Sequence, residues 1–277
     1  MTSGLFKMEG SGNDFLVGIG SWADRLADDP CLVRGLCDRR LGIGADGTLS
    51  VTAQTATSAS LVYNNADGSV GEFCGNGTRC AARAAVELLG CQPELEITTG
   101  WAVIPARVRH EEVSLVLPPI EDIPRPTGIE NPAVVGEVQR LVVGVPHLVA
   151  RTSGLADLDF EALAAPLRSH PEAGPEGANV DFYEIGEGGV VEIRTWERGV
   201  EDETLSCGSG MVAVGLVVMA QRDTSRVEMR PASRDHITVE GLGKAPMCPT
   251  RLTGPTRIVA EIHPMDEFSA TRRSSSR

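Results

Sequence analysis

Positive charge is scarce in this chain. Across 277 residues Lys and Arg number 25 against 38 Asp and Glu, which leaves a formal net charge of −13 and a pI near 4.9. Surfaces that bind nucleic acid or anionic membranes neutralise phosphates with clustered Lys and Arg. That balance argues against both partners and leaves small molecules or proteins. Lysine itself is represented by Lys7 and Lys244 alone, which offers no well-placed Schiff-base residue for pyridoxal chemistry, although one lysine suffices in principle. No apolar run approaches the ~18 residues of a spanning helix, and no N-terminal stretch combines a basic flank, an apolar centre and a small-residue cleavage site. The expected location is the cytoplasm. Metal-ligand spacing is missing as well: neither Cys31/Cys37 nor Cys74/Cys80 has a C-x2-C spacing, and His110, His147, His170, His236 and His263 are scattered singly. No metal is expected. The seven cysteines are odd in number and dispersed, unlike a secreted disulfide framework, and read as free thiols in a reducing compartment.

What the chain does contain is one four-residue phrase written twice. Cys74-Gly75-Asn76-Gly77 and Cys207-Gly208-Ser209-Gly210 lie 133 positions apart, each followed by an Ala- or Val-rich helical run. In each copy the glycines permit a tight strand-to-helix turn whose free N–H groups point outward, so a thiol stands beside an anion site. The helix dipole there favours thiolate. A core thiol needs neither the duplication nor the polar flanks. Two sulfurs facing each other across a bound carboxylate are equipped to move a proton on and off carbon.

The rest of the pattern frames these phrases. Leu5 to Phe15 reads as a strand running into a loop that exposes Asn13, and a helix starts at Asp29-Pro30 with Leu32, Val33, Leu36 and Cys37 on its apolar face. Strands follow at 47–52 and 60–63, then a turn at Asn64-Asn65-Ala66-Asp67-Gly68, a mostly buried helix over 76–89 stopped by Gly90, and strands at 94–98, 102–108 and 113–117. Proline-rich residues 118–132 read as a linker. The second half repeats the scheme, with strands at 138–145, 180–184 and 190–196, a helix near 158–167 and a helix over 211–220 that is apolar on every side. Two similar halves, each strand-rich with one core helix, are expected. The predicted division is residues 1–119 with about 255–268 in the first, residues 120–254 in the second, and a disordered tail at 269–277.

Other motifs have bland and functional readings side by side. Asn64 to Gly68 suits a hairpin turn, but standing just before Cys74 it also lets Asn65 offer donor and acceptor to an amino-acid head group. Glu197-Arg198 suits a surface ion pair, yet in a cleft Arg198 would take a carboxylate bidentately and Glu197 an ammonium. Gly42-Ile-Gly44-Ala-Asp-Gly47 fits G-x-G-x-x-G, but a helical stretch precedes it and a strand-like run follows, the reverse of a dinucleotide site. His147 reads as a packing or capping residue.

Gly12-Asn13-Asp14-Phe15, Asn65-Ala66-Asp67-Gly68-Ser69, both thiol phrases, Asn179-Val180 and Glu197-Arg198-Gly199 stand in the order seen in diaminopimelate epimerases, and the chain resembles that family over nearly its whole length. The resemblance implies an α/β (α+β) fold of two pseudo-symmetric domains, each a strand barrel around a central helix, with the active site in the interdomain cleft, a homodimer and no cofactor. It implies that Cys74 and Cys207 act as thiolate base and thiol acid on opposite faces of an α-carbon. Asn76, Ser209 and the N–H groups of the helix starts at Gly75 and Gly208 would hold the reacting carboxylate. Asn13, Asn65, Asn179, Glu197 and Arg198 would position the substrate. Three positions depart from the family pattern: Val145 replaces Asn in Gly-Asn-Pro-His, Glu9 stands where many relatives have His, and the segment from Gly199 to Thr204 is one residue longer than the commonest spacing.

The function so implied is interconversion of LL- and meso-2,6-diaminoheptanedioate, for lysine and peptidoglycan supply. A racemase or epimerase of a different amino acid is the alternative, supported by Val145, because losing one hydrogen bond to a charged group is worth about 1.5–3 kcal/mol. A degenerate binding protein or a redox thiol pair fits less of the motif context.

Overall fold

The computed structural model describes residues 3–71, 73–120 and 122–265. It divides into two compact units, Met1–Val113 with Thr256–Arg277, and Ser114–Pro255. The predicted tail at 269–277 lies outside the described residues.

In the first unit, β1 (Gly4–Gly10) and β2 (Asn13–Ile19) form a hairpin in which Gly10 is opposite Asn13. Ser11 and Gly12 both have positive φ and make the turn, so Asn13 opens a strand instead of sitting in the expected loop. Two short helices follow, α1 (Ser21–Asp28) and α2 (Pro30–Cys37), the second capped by the Asp29 carboxylate, which accepts from the Leu32 N–H at 2.9 Å. Leu26 of α1 and Leu32, Val33 and Leu36 of α2 close over Leu5 and Leu16 of the hairpin. Next, β3 (Gly47–Thr55) lies parallel to β2 and turns back as β4 (Ser58–Asn65), followed by β5 (Val70–Gly71). From Cys74 the chain enters α3 (Gly75–Glu87), buried from Gly75 to Ala85, and returns as β6 (Glu94–Thr98), parallel to β4. Then β7 (Val103–Arg109) pairs antiparallel with β6, and β8 (Glu112–Leu117) runs across the boundary between the units. The strands pack around α3.

The second unit holds the proline-rich residues, of which Arg125–Pro126 form a short strand, β9, on β10 (Gln139–Val143). After a tight turn at Gly144, β11 (Val145–Arg151) pairs antiparallel with β10 and is followed by α4 (Phe160–Arg168) and by β12 (Asn179–Ile185), parallel to β11. Antiparallel to β12 runs β13 (Val191–Glu197), with β14 (Asp202–Thr204) hairpinned on it. From Cys207 the chain enters α5 (Gly208–Arg222), buried from Gly208 to Met219, and returns as β15 (Arg226–Arg230), parallel to β13. Two further strands, β16 (Ile237–Gly241) and β17 (Thr250–Pro255), complete the unit, and β18 (Arg257–Ile262) returns to β1 of the first.

The topology therefore repeats. A hairpin, a helical connection to a parallel strand, a second hairpin strand and a buried crossover helix occur in that order in both units: β1–β2, α1–α2, β3–β4, α3, and again β10–β11, α4, β12–β13, α5. Each thiol phrase marks the point where the chain leaves a sheet and enters the crossover helix. Among the described residues no helix is long and apolar enough to cross a membrane.

Candidate active site

Cys74 is the N-cap of α3, with extended backbone at φ −140° and ψ 112°, and its Sγ accepts the Gly77 N–H at 3.3 Å. A sulfur receiving a helix-start N–H occupies the position that capping carboxylates and hydroxyls usually fill, where negative charge is stabilised. The hairpin β1–β2 brings Asn13 to the same point: its Oδ1 accepts from the Cys74 thiol at 3.6 Å and from Asn76 Nδ2 at 3.4 Å. Asn76 is 1% exposed, whereas Cys74 and Asn13 are half-buried. Beside Cys74 opens an apolar cavity of about 110 Å3, lined in part by Leu61, Tyr63, Val70 and Phe73. Asn65 belongs to a neighbouring network, accepting from the Tyr63 hydroxyl at 2.7 Å and donating to Ser69 Oγ at 3.0 Å.

In the second unit Cys207 is the N-cap of α5 with similar backbone, φ −113° and ψ 113°, but it makes no side-chain capping bond. Its sulfur is 3.5 Å from Ser209 Oγ and receives Asn179 Nδ2 at 4.0 Å. Asn179 also accepts the Arg198 N–H at 2.8 Å, so one amide ties the strand end carrying Glu197-Arg198 to the sulfur. The Arg198 guanidinium pairs with Glu176, an exposed carboxylate, at 3.1 Å.

The expected easing of deprotonation does not hold at Cys207. Burial pushes this thiol well above its ordinary pKa, and the carboxylates of Glu197 and Asp181 push it further, with the Ser209 hydroxyl opposing. At 6% exposure the cost of desolvating a thiolate outweighs the helix dipole.

The sequence matches the profile of the family described as Diaminopimelate epimerase over residues 5–114 and 141–247. A diaminopimelate epimerase of Archaeoglobus fulgidus is 34% identical over 253 residues, 86% of this chain and 87% of that one. Another, of Chlorobaculum tepidum, is 38% identical over 214 residues, 76% of this chain and 81% of that one. The chain belongs to the diaminopimelate epimerase family. It is accordingly an isomerase of the epimerase class. More distant solved structures share the fold. A phenazine biosynthesis protein of the PhzF family from Enterococcus faecalis superposes with a TM-score of 0.69 at 14% identity, over 95% of this chain and 100% of that one. A probable proline racemase from Agrobacterium radiobacter gives 0.66 at 18%, over 98% and 95%.

Two departures from the pattern of diaminopimelate epimerases have local structural uses. Glu9 accepts the Gly12 N–H at 2.8 Å and pairs with Arg257, fixing the turn that presents Asn13. In the lengthened segment Gly199 and Glu201 take positive φ between β13 and β14, and Arg168 holds Glu201 at 2.6 Å. Val145 sits half-buried opposite Val143, at the start of β11.

Sequence reasoning missed a buried polar group beneath α5. His147, read as a packing residue, meets Asp181 through Nδ1 at 2.6 Å, and Thr195 donates to the other Asp181 oxygen at 2.8 Å. His147 and Asp181 are fully buried. Strand alternation was the available signal: Asp181 is two residues beyond Asn179 on β12, and Thr195 two residues before Glu197 on β13, so each pair shares a face.

Proposed function

We propose that this epimerase interconverts LL- and meso-2,6-diaminoheptanedioate by a cofactor-free, two-thiol proton transfer at the α-carbon. The observation that carries the reading is the repeated placement of a cysteine at the first turn of each buried crossover helix, Cys74 on α3 and Cys207 on α5, in a chain of this family. A thiolate at one helix start removes the α-proton while the thiol at the other delivers a proton to the opposite face, and the reverse direction exchanges their roles. The mechanism requires both sulfurs to reach opposite faces of one α-carbon.

The carbanion that forms places charge on the adjacent carboxylate. Asn76, Ser209 and the N–H groups at Gly75 and Gly208 are the donors assigned to it, since backbone N–H groups at a helix start stabilise developing negative charge without reorganising. Burial and the neighbouring carboxylates favour the protonated form of Cys207, which supports Cys207 as the proton donor of the resting enzyme. Asn13, Asn65, Asn179, Glu197 and Arg198 position the substrate, several of them gripping its distal amino-acid end. Arg198 would exchange its exposed partner Glu176 for a substrate carboxylate, a small loss because exposed ion pairs contribute little. In this reading the enzyme is a cytoplasmic homodimer of two-domain chains, residues 1–119 with about 255–268 and residues 120–254, serving lysine and peptidoglycan precursor supply.

The test is proton NMR of the LL isomer in deuterated buffer with reduced enzyme. Loss of the α-proton signal with appearance of the meso isomer is expected, and Cys74→Ala and Cys207→Ala should each abolish turnover while remaining folded. Appreciable epimerisation by either variant removes the two-thiol assignment. Val145 favours a second reading, the same chemistry on another amino acid, and no exchange of the diamino diacid alongside exchange of a different amino acid would establish it.

A further inference from the structure

The G-x-G-x-x-G segment from Gly42 to Gly47 follows α2 and leads into β3, the reverse of a dinucleotide-binding turn, yet its geometry is tightly specified. A Cβ on Gly42 would lie 2.1 Å from the Gly35 carbonyl oxygen, one on Gly47 would lie 2.4 Å from that of Asn64, and Gly44 has φ +84°. The glycines let the loop fold flat between α2 and β4, and the residue it delivers is Asp46. We propose that Asp46 is a positioning residue for Cys74, acting through the side-chain amide of Asn13; the inference rests on Cys74 being one of the two acid–base thiols.

Asp46 Oδ2 accepts Asn13 Nδ2 at 2.7 Å and the Asp14 N–H at 3.1 Å, while its Oδ1 accepts Arg39 Nη2 at 2.6 Å. The Asp46 N–H donates in return to the Asp14 carbonyl at 2.9 Å. An ionised carboxylate only accepts, so Asn13 has to present its NH2 to Asp46. Its oxygen is thereby turned toward Cys74 Sγ at 3.6 Å and Asn76 Nδ2 at 3.4 Å. A carbonyl oxygen attracts S–H and repels S−, whereas the Gly77 N–H at 3.3 Å does the opposite. These two contacts favour opposite protonation states of Cys74, as suits a group that is acid in one direction and base in the other.

The geometry also says what Asp46→Asn does. Arg39, a charged donor at 2.6 Å, outcompetes the Asp14 N–H at 3.1 Å for the new side-chain oxygen, so the new NH2 faces Asn13 and the Asp14 N–H loses its acceptor. Asn13 then turns its own oxygen to that NH2 and its NH2 to Cys74, and Asn76 has to turn its own amide to accept from it. The sulfur then has a second donor and the thiolate is stabilised. The measurement is the pH dependence of alkylation by iodoacetamide at Cys74, read on the Cys74 peptide by mass spectrometry, without substrate. The midpoint should fall by about one pKa unit in Asp46→Asn. In an Asn13→Ala background the same substitution should move it no further. An unchanged midpoint in the single variant overturns the proposal, and so does an equal shift in the Asn13→Ala background, which is the signature of lost charge acting through space. Should Asp46→Asn fail to fold, the Asn13 side-chain NH2 of the wild-type protein, observed by 15N NMR, provides the second measurement. One proton protected from solvent exchange is expected, and both exchanging as a free amide overturns the proposal. Because the alkylation assay needs no turnover, a protein that shifts its midpoint but exchanges no α-proton upholds the role of Asp46 and refutes only the assigned reaction.

Discussion

Gly210→Ala should weaken the second unit even though it places a better helix former inside a helix. Ala in place of Gly in a helix interior is ordinarily worth roughly 1 kcal/mol of added stability. At Gly210 the new Cβ would stand 2.3 Å from Asp181 Oδ1 and 3.2 Å from Thr195 Oγ1. Asp181 cannot swing aside freely, since its two oxygens are engaged by Thr195 at 2.8 Å and His147 at 2.6 Å with no exposure to water. Weakening one hydrogen bond to a charged group costs about 1.5–3 kcal/mol, and overpacking adds about 1–3 kcal/mol. Set against the gain in propensity, the net is a destabilisation of about 1.5–5 kcal/mol. Hydrogen exchange read by mass spectrometry is the suitable assay, because it reports faster opening of α5 and β12 locally and does not require the two units to unfold together. The matching position supplies the control. A Cβ on Gly77 meets Leu49 Cδ2 at 3.0 Å, the end of a flexible side chain, and Cys74 Sγ at 3.5 Å, so Gly77→Ala should stay within about 1 kcal/mol of the wild type by the balance of propensity and crowding. Slower exchange of α5 in Gly210→Ala, as propensity alone demands, would refute the reasoning.

Asp14 provides an acid-stability prediction. Burial alone would raise its pKa, but hydrogen bonds from Arg39 and Lys7 prevail and bring it down to about 2. A depressed carboxylate contributes stability that is present above its unfolded pKa of about 4 and is lost as pH falls toward the folded value. Asp14→Asn should therefore flatten the fall of the thermal midpoint between about pH 4 and pH 2, and parallel curves for the two proteins would exclude this contribution. Arg198→Ala should raise KM for the diamino diacid roughly tenfold to a hundredfold, the worth of one bond to a charged group, with little change in thermal midpoint; an unchanged KM removes Arg198 from substrate binding. Val145→Asn should lower KM for the same substrate by supplying a side-chain donor and acceptor, and equal kinetics would show that position 145 does not meet it.

Sequence was most legible where local chemistry decides structure. The glycine turns after Cys74 and Cys207 had to begin helices, and they do, because the residues that follow are helix formers with no competing turn signal. Less legible was α1. Ser21–Asp28 sets Trp22, Ala23, Leu26 and Ala27 on one face, but its eight residues are shorter than the stretch over which a helical period can be read with assurance. The strands of 226–262 are short and separated by turn residues, and their pairing depends on partners elsewhere in the chain. Long-range polar contacts were invisible for the same reason. Asp46 reaches Asn13 across 33 positions and Asp181 reaches His147 across 34, and no local period encodes either. The protonation of Cys207 was misread because the helix dipole is a property of a sequence stretch, whereas burial and the nearby charges of Glu197 and Asp181 are properties of the fold.

The two crossover helices make the sulfurs of Cys74 and Cys207 mechanically inseparable from the core. Since α5 is buried from Gly208 to Met219, it behaves as a shaft with Cys207 at its tip. Any shift along its axis reaches the sulfur undiminished, and a slip of a single residue would displace it by about 1.5 Å. A one-ångström misplacement can cost about a hundredfold in rate. On the proposed role of Cys207, trimming Val218 or Leu216, buried well along α5 from that residue, should thus register as a catalytic lesion as well as a loss of stability, and the rate would double as a gauge of how well the interior is packed.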